Sequence, residues 1–300
     1  MAGLLVAAPP VSLAGSKVSD TRVLSRGEYV YRAADCFGCH TDTKHGGGDL
    51  AGGRALKTAF GTFYSPNITP DKETGLGQWS EQNFMRALRE GLGRNREHLY
   101  PAFPYTSFTR MSDADVHALW MYLRSRPAVK QANKPHNLKW LVSARSLVGL
   151  WKMLYFTPGA YKPDPWKSIS WNRGAYLVEA VTHCGECHTP RNALGGAKAN
   201  MRYAGTRVGP ENSVVPNITP DKKTGIGKWR SGELITYLGN GMTPDGDFAG
   251  GPMAEVIDNS LQYLHKDDLA AIAEYIRSQP AVELTARKAG EKSPGKEAWE

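Results

Sequence analysis

Two short stretches, Cys36-Phe37-Gly38-Cys39-His40 and Cys184-Gly185-Glu186-Cys187-His188, use all four cysteines of this chain. Each reads Cys-x-x-Cys-His. Two thiols three positions apart can both form thioethers to the vinyl groups of a haem, and the adjacent histidine then reaches its iron. One match could be an accident, or a redox Cys-x-x-Cys that happens to precede a histidine. Two matches inside a longer repeat argue against both. The expected cofactors are two covalently bound haem c groups, held by Cys36, Cys39, Cys184 and Cys187, with His40 and His188 as the proximal metal ligands. No cysteine then remains for a disulfide, and haem attachment of this type implies a compartment outside the bacterial cytoplasm.

The repeat is long. Arg26 through Ala34 leads into Cys36, and Arg173 through Ala180 leads into Cys184. The loop from Pro66 to Trp79 recurs almost unchanged from Pro216 to Trp229. Each copy closes on a helix running into Tyr122–Val129 or Tyr275–Val282, stopped by Pro127 or Pro280. Such a period is a domain duplication and not a solenoid. Within the copies, Ser80 caps a helix over Glu81–Glu90 that Gly91 ends. Ser112-Asp113-Ala114-Asp115 begins one closing helix, with Val116, Leu119, Trp120 and Leu123 on its apolar face, and Lys266-Asp267-Asp268 begins the other. No alternating strand stands out. The expected fold is all-α: two tandem class I-like cytochrome c domains over 21–129 and 172–282, joined by a linker over 130–171 containing an amphipathic helix.

Residues 1–20 read as a secretory signal peptide or N-terminal arm, apolar and uncharged to Gly15, with cleavage after Ala14. Residues 283–300 read as a charged tail. In the linker, Trp140, Leu141, Ala144, Leu147, Val148, Trp151, Leu154 and Tyr155 share one helical face, with Lys139, Ser143, Arg145, Ser146, Gly149 and Lys152 opposite. Trp140 to Tyr155 spans about 24 Å, short of the ~30 Å hydrocarbon core, so it does not cross a membrane. It is expected to dock between the domains and bury its tryptophan face; a dock for a partner subunit or an in-plane membrane helix are the alternatives. A formal net charge of +8 suits an acidic protein partner or an anionic membrane face. No basic run with interleaved aromatics points to nucleic acid.

Together the paired motifs, the doubled loop and Tyr100-Pro101-Ala102-Phe103-Pro104-Tyr105 resemble the cytochrome c subunits of periplasmic, membrane-associated bacterial dehydrogenases for alcohols, gluconate and related sugars. The likeness covers roughly Arg22 to Val282. It implies an electron-transfer subunit, with catalysis in a molybdenum-, flavin- or quinone-dependent dehydrogenase partner. The downstream acceptor would be a quinone, a soluble cytochrome or a terminal oxidase. The implied location is the periplasm, with peripheral association at the cytoplasmic membrane. Those subunits typically carry three haems, and this chain departs from them in having two motifs. The competing class is a dihaem redox enzyme for a small substrate such as peroxide or thiosulfate.

A sixth iron ligand must come from elsewhere in each unit, and a methionine thioether is a frequent choice that raises the potential. In the second unit Met253, in the Gly/Pro-rich stretch Gly250–Glu255, is preferred over Met201 and Met242; the resembling subunits share it. In the first unit Met111, just ahead of the closing helix, matches a methionine that recurs in those subunits, although it aligns with Leu264 and not with Met253. Met85 and Met121 fall in helical patterns, and His98 is the alternative ligand. Trp79 and Trp229 are candidate indole donors to a haem propionate, with Asn67 and Asn217 orienting the same edge. Against this stands the reading that these loops are self-packed turns. His45, His117, His136, His183 and His265 show no metal-ligand spacing.

Overall fold

Helix α1 (Ala14–Ala33) lies across helix α5 (Asp113–Arg124) at a contact that only glycine permits. A Cβ on Gly27 would sit 2.1 Å from the Ala118 carbonyl oxygen and 2.7 Å from Tyr122 Cβ. In the second unit, helix α8 (Ile169–Tyr176) meets the closing helix α12 (Lys266–Arg277) in the same way, with Gly174 placing a virtual Cβ 1.9 Å from the Ala271 carbonyl oxygen. The computed structural model describes residues 14–210 and 213–284. Of the proposed signal segment only Ala14–Asp20 is described, as the first turns of α1, and nearly all of the charged tail lies outside the described residues.

Between these helices each unit carries the same parts. Short helices α2 (Cys36–His40) and α9 (Cys184–His188) hold the Cys-x-x-Cys-His motifs. Helix α3 (Glu81–Glu90) starts on a Ser80–Asn83 capping box and stops at Gly91, which is left-handed with φ 60°. Its counterpart is α10 (Ser231–Asn240), stopped by Gly241 at φ 81°. The first unit then has one short turn, α4 (Tyr105–Phe108), where the second has the longer α11 (Gly251–Asn259). Tyr176 to Cys184 is one residue longer than Tyr29 to Cys36, and α8 absorbs the extra residue as a π-helical turn over Leu177–Val181.

The all-α expectation needs a correction. Strands β1 (Ala55–Thr58), β2 (Gly61–Tyr64) and β3 (Asn137–Leu138) form a small antiparallel sheet, with Ala55 opposite Tyr64 and Gly61 opposite Leu138. Four-residue strands are too short to show alternation, and the third is donated by the linker, so no local pattern announces them.

The linker helix is also not the one expected. It breaks at Ala144 (ψ 101°) into α6 (Trp140–Ser143) and α7 (Arg145–Tyr155). The Tyr100 hydroxyl donates to the Ser143 carbonyl at 3.0 Å, taking the acceptor that a continuous helix would offer to Leu147. Helix α7 then presents a different face from the one apolarity suggests. Val148 and Lys152 are buried, while Leu147, Leu150, Met153 and Leu154 are exposed, as is Trp140 at 80%. The surface α7 meets is the carbonyl end of α3, which attracts a cation. Lys152 Nζ accordingly donates to the Glu90 and Gly91 carbonyls at 2.6 and 2.7 Å, and Arg145 donates to the His98 carbonyl. On its other side α7 reaches the second unit: Trp151 Nε1 donates to the Leu194 carbonyl, and the Tyr155 hydroxyl accepts from Asn192. The helix does bridge the units, through these polar contacts and through Val148, which packs with Phe63 and Tyr100 of the first unit.

The units also meet directly, with near two-fold reciprocity. In each, the first helix carries Arg-Gly-x-Tyr: Arg26, Gly27 and Tyr29, or Arg173, Gly174 and Tyr176. The arginine pairs with the closing helix of its own unit, Arg26 with Asp115 at 2.7 Å and Arg173 with Asp268 at 2.6 Å. The glycine lets that helix approach. The tyrosine crosses to the other unit, Tyr29 donating to Asp268 and Tyr176 to Asp115. Burial pushes the Tyr176 phenol up to about 12, with the Asp115 carboxylate adding to it, so it stays a donor. Buried residues of both units join in one apolar core around this contact, among them Val30, Leu119, Leu177 and Ile272.

Candidate functional site

Each attachment helix is entered through a left-handed residue, Asp35 (φ 49°) or His183 (φ 41°), which turns the chain sharply so that both cysteines and the histidine follow on one short helix. The Asp35 carboxylate accepts from the Gly38 backbone N–H at 3.1 Å and thereby caps α2. Burial raises that carboxyl to about 7. All four cysteines are partly buried and unpaired. Burial, with Asp35 adding to it, pushes the Cys39 thiol up to about 12; burial and then Glu186 push Cys187 up to about 11.

The histidines are oriented by the doubled loop. His40 Nδ1 lies 2.8 Å from the Pro66 carbonyl oxygen, and His188 Nδ1 lies 2.8 Å from that of Pro216. A carbonyl can only accept, so Nδ1 carries the proton and Nε2 is left with its lone pair for a metal. Burial lowers the pKa of both rings and keeps them neutral, the form that ligates. The donor set therefore fits haem c at both motifs: two thiols outside any disulfide, then a neutral imidazole with Nε2 available.

What holds the loop explains why it is duplicated together with the Pro-Ala-Val after each closing helix. The Asn67 amide donates to Thr74 Oγ1 and to the Val129 and Gln131 carbonyls, and its oxygen accepts from the Thr69 N–H and hydroxyl. Asn217 does the same with Thr224, Val282 and Thr219. Both asparagine amides thus lock the proline carbonyl, and so the histidine, to the exit of the closing helix. Trp79 and Trp229 pack partly buried against the core, and their indole N–H groups take no part in the hydrogen bonds among the described residues. The sequence reading missed Thr41 and Thr189, which follow the motifs and accept from the backbone N–H of Leu50 and Tyr203 at 3.0 and 3.2 Å. The shared His-Thr was the available signal.

Met253 lies in the first turn of α11, partly buried against the core, and not in an open loop; Pro252 at the start of a helix costs nothing because its missing N–H would be unpaired there. Met111 is fully buried (0% exposed), directly before α5. His98 has Nδ1 3.2 Å from Lys152 Nζ and its Nε2 against Gly149, so it faces α7.

The two motifs abut each other. His183 Nε2 lies 3.3 Å from the Ala34 carbonyl oxygen, joining the residues that introduce α9 and α2. Thr106 and Ser107 of the first unit donate to Glu186 inside the second motif at 2.6 and 2.8 Å. In return, Arg54 donates to the Gly38 carbonyl of the first motif and pairs with Glu255, two residues beyond Met253. A family model described as cytochrome c matches residues 24–127 and again 172–280. The chain belongs to the cytochrome c family. This cytochrome is 43% identical over 270 residues to a subunit of the nicotinate dehydrogenase of Pseudomonas putida, covering 90% of the chain and 22% of that protein. It is 42% identical over 260 residues to the fructose dehydrogenase cytochrome subunit of Gluconobacter japonicus, covering 86% of the chain and 53% of that subunit. With a diheme cytochrome c-type protein of Cereibacter sphaeroides the identity is 40% over 267 residues, and 86% of each chain is covered. The cytochrome thus spans about half the length, or less, of the first two relatives. Among its described residues no helix is long and apolar enough to cross a membrane.

Proposed function

We propose that this cytochrome is a two-haem relay in the periplasm, taking electrons from a catalytic dehydrogenase subunit and delivering them to a respiratory acceptor. The carrying observation is the His183–Ala34 contact, which brings two complete attachment motifs together within one buried interface. The bound haems supply one-electron chemistry between ferrous and ferric iron. The chain's part is to tether them through Cys36, Cys39, Cys184 and Cys187 and to hold His40 and His188 in the ligating tautomer. It would also offer Met253 to the second iron and the Trp79 and Trp229 N–H groups to propionates. The dehydrogenase subunits among its relatives support a dehydrogenase partner, whose catalytic cofactor would be molybdenum, flavin or a quinone. The exposed side of α7, with Lys139 beside it, is a candidate for peripheral contact with that partner or with the membrane face.

The test is haem content and titration of the mature protein. Two covalent haems per chain are expected by the pyridine haemochrome assay, titrating as two resolved waves, since burial and axial surroundings differ between units. A ratio near one contradicts the relay. A second expected result concerns Met253→His, which should lower one reduction potential and remove the thioether-to-iron charge-transfer band while leaving the other wave in place. An unchanged band excludes Met253 as a ligand.

A further inference from the structure

The two units align element by element, with an offset that grows along the chain, and no methionine falls at matching positions in both. The bridge Leu92–His98 matches Met242–Phe248, and Leu99 N–H to Gly91 matches Ala249 N–H to Gly241, both 2.8 Å. Counting on from those pairs, Met253 corresponds to Phe103. Counting back from the closing helices, where Met111 N–H to Phe108 matches Leu264 N–H to Leu261, Met253 corresponds to Tyr100. Neither register gives the first unit a methionine at the place of Met253.

The other methionines of the first unit fall where the second has residues that cannot ligate through sulfur. Met111 takes the place of Leu264, and both are core residues. Met85 takes the place of Ile235 inside the matched helices α3 and α10, and Met121 that of Glu274 in α5 and α12. The remaining imidazoles of the first unit and the linker are engaged elsewhere: His45 with Asp42, His98 with Lys152, His117 with Glu81 and His136 with the Tyr64 N–H. Phe103 itself is partly buried, packed on Phe108 with ring centroids 5.6 Å apart. A phenyl ring has no lone pair to offer a metal.

We infer that, among the described residues, none supplies a methionine or second histidine to the first iron, and that its sixth position is open to small neutral π-acceptor molecules of the carbon monoxide and nitric oxide class, while the second iron is closed by Met253. This rests on the reading that both motifs carry haem. On this inference Met111, expected as a ligand, serves instead as a buried core residue.

The test uses the full-length, two-haem protein. After reduction, titration with carbon monoxide is expected to saturate near one molecule per two haems. The ferric protein should show a high-spin electron paramagnetic resonance signal accounting for about half of its iron. Phe103→Met should abolish both, and Met111→Leu should change neither. Two low-spin haems with no carbon monoxide uptake would overturn the inference, as would uptake that begins only in Met111→Leu. Haem content is measured on the same samples, so one haem per chain would instead identify failure of the two-haem reading beneath it.

Discussion

Gly174→Val is expected to cost more than about 4 kcal/mol and to strip the second haem, and Gly27→Val to do the same to the first. Few single substitutions reach that size, and those that do have a specific mechanical cause. Here the Cβ alone would lie 1.9 Å from the Ala271 carbonyl oxygen, and in the first unit 2.1 Å from that of Ala118. The atoms in the way are helix backbone, which cannot rotate aside, so the helices must separate. Separation opens the core along Val30, Leu119 and Ile272. Overpacking of a tight core typically costs about 1–3 kcal/mol, and loss of the surrounding contacts adds to it. Alanine would gain about 1 kcal/mol of helix propensity over glycine and so partly mask the effect, which is why valine is the sharper test. Haem content and thermal melting read the result. A valine variant that retains two haems and the parental melting temperature would show that the helices do not approach so closely.

Removing both cross-unit hydroxyls, Tyr29→Phe with Tyr176→Phe, is expected to weaken the contact between the units by about 3 kcal/mol, taking about 1.5 kcal/mol for each hydrogen bond to a carboxylate. The Arg26–Asp115 and Arg173–Asp268 pairs stay within their units, so each unit should keep its fold and haem. What should change is electron exchange between haems, slower and no longer a single phase in pulse-reduction kinetics, with a larger radius of gyration by X-ray scattering. Acid should act similarly. Burial alone would raise the Asp268 carboxyl, but the Arg173 guanidinium and the Tyr29 hydroxyl outweigh it and hold it below the usual carboxylate range. A group so depressed contributes stability above its unfolded pKa and loses it as pH falls through the depressed value. The units should therefore loosen in acid. Unchanged exchange kinetics in the double variant would remove the tyrosines from the interface.

The legible parts of this fold are those written locally. The attachment motifs state their chemistry in five residues, and the caps at Ser80, Gly91 and Ser112 set helix limits that the structure reproduces. The cross-unit tyrosines are visible in the sequence only as helix residues, because Tyr29 meets Asp268 across 239 positions and no local pattern encodes such a partner. The face of α7 misleads for a related reason. Apolarity assigns Leu147 and Leu154 inward, yet the surface awaiting the helix is a row of carbonyls, so Lys152 goes in and Met153 stays out. The loop asparagines are legible as important, since they recur. The partners that tie them to the rest of the unit, Val129, Gln131 and Val282, lie beyond the closing helices, where no local pattern announces them.

The reciprocal contact also bears on how such a molecule could arise. Arg-Gly-x-Tyr against the aspartate of a closing helix is self-complementary: two copies of a single unit could satisfy it with each other, as a symmetric dimer does. Joining the copies through residues 130–171 turns that association into an intramolecular one, unaffected by dilution. The joined halves are then free to diverge. Phe103 in one and Met253 in the other is the kind of difference that a dimer of identical chains could never hold.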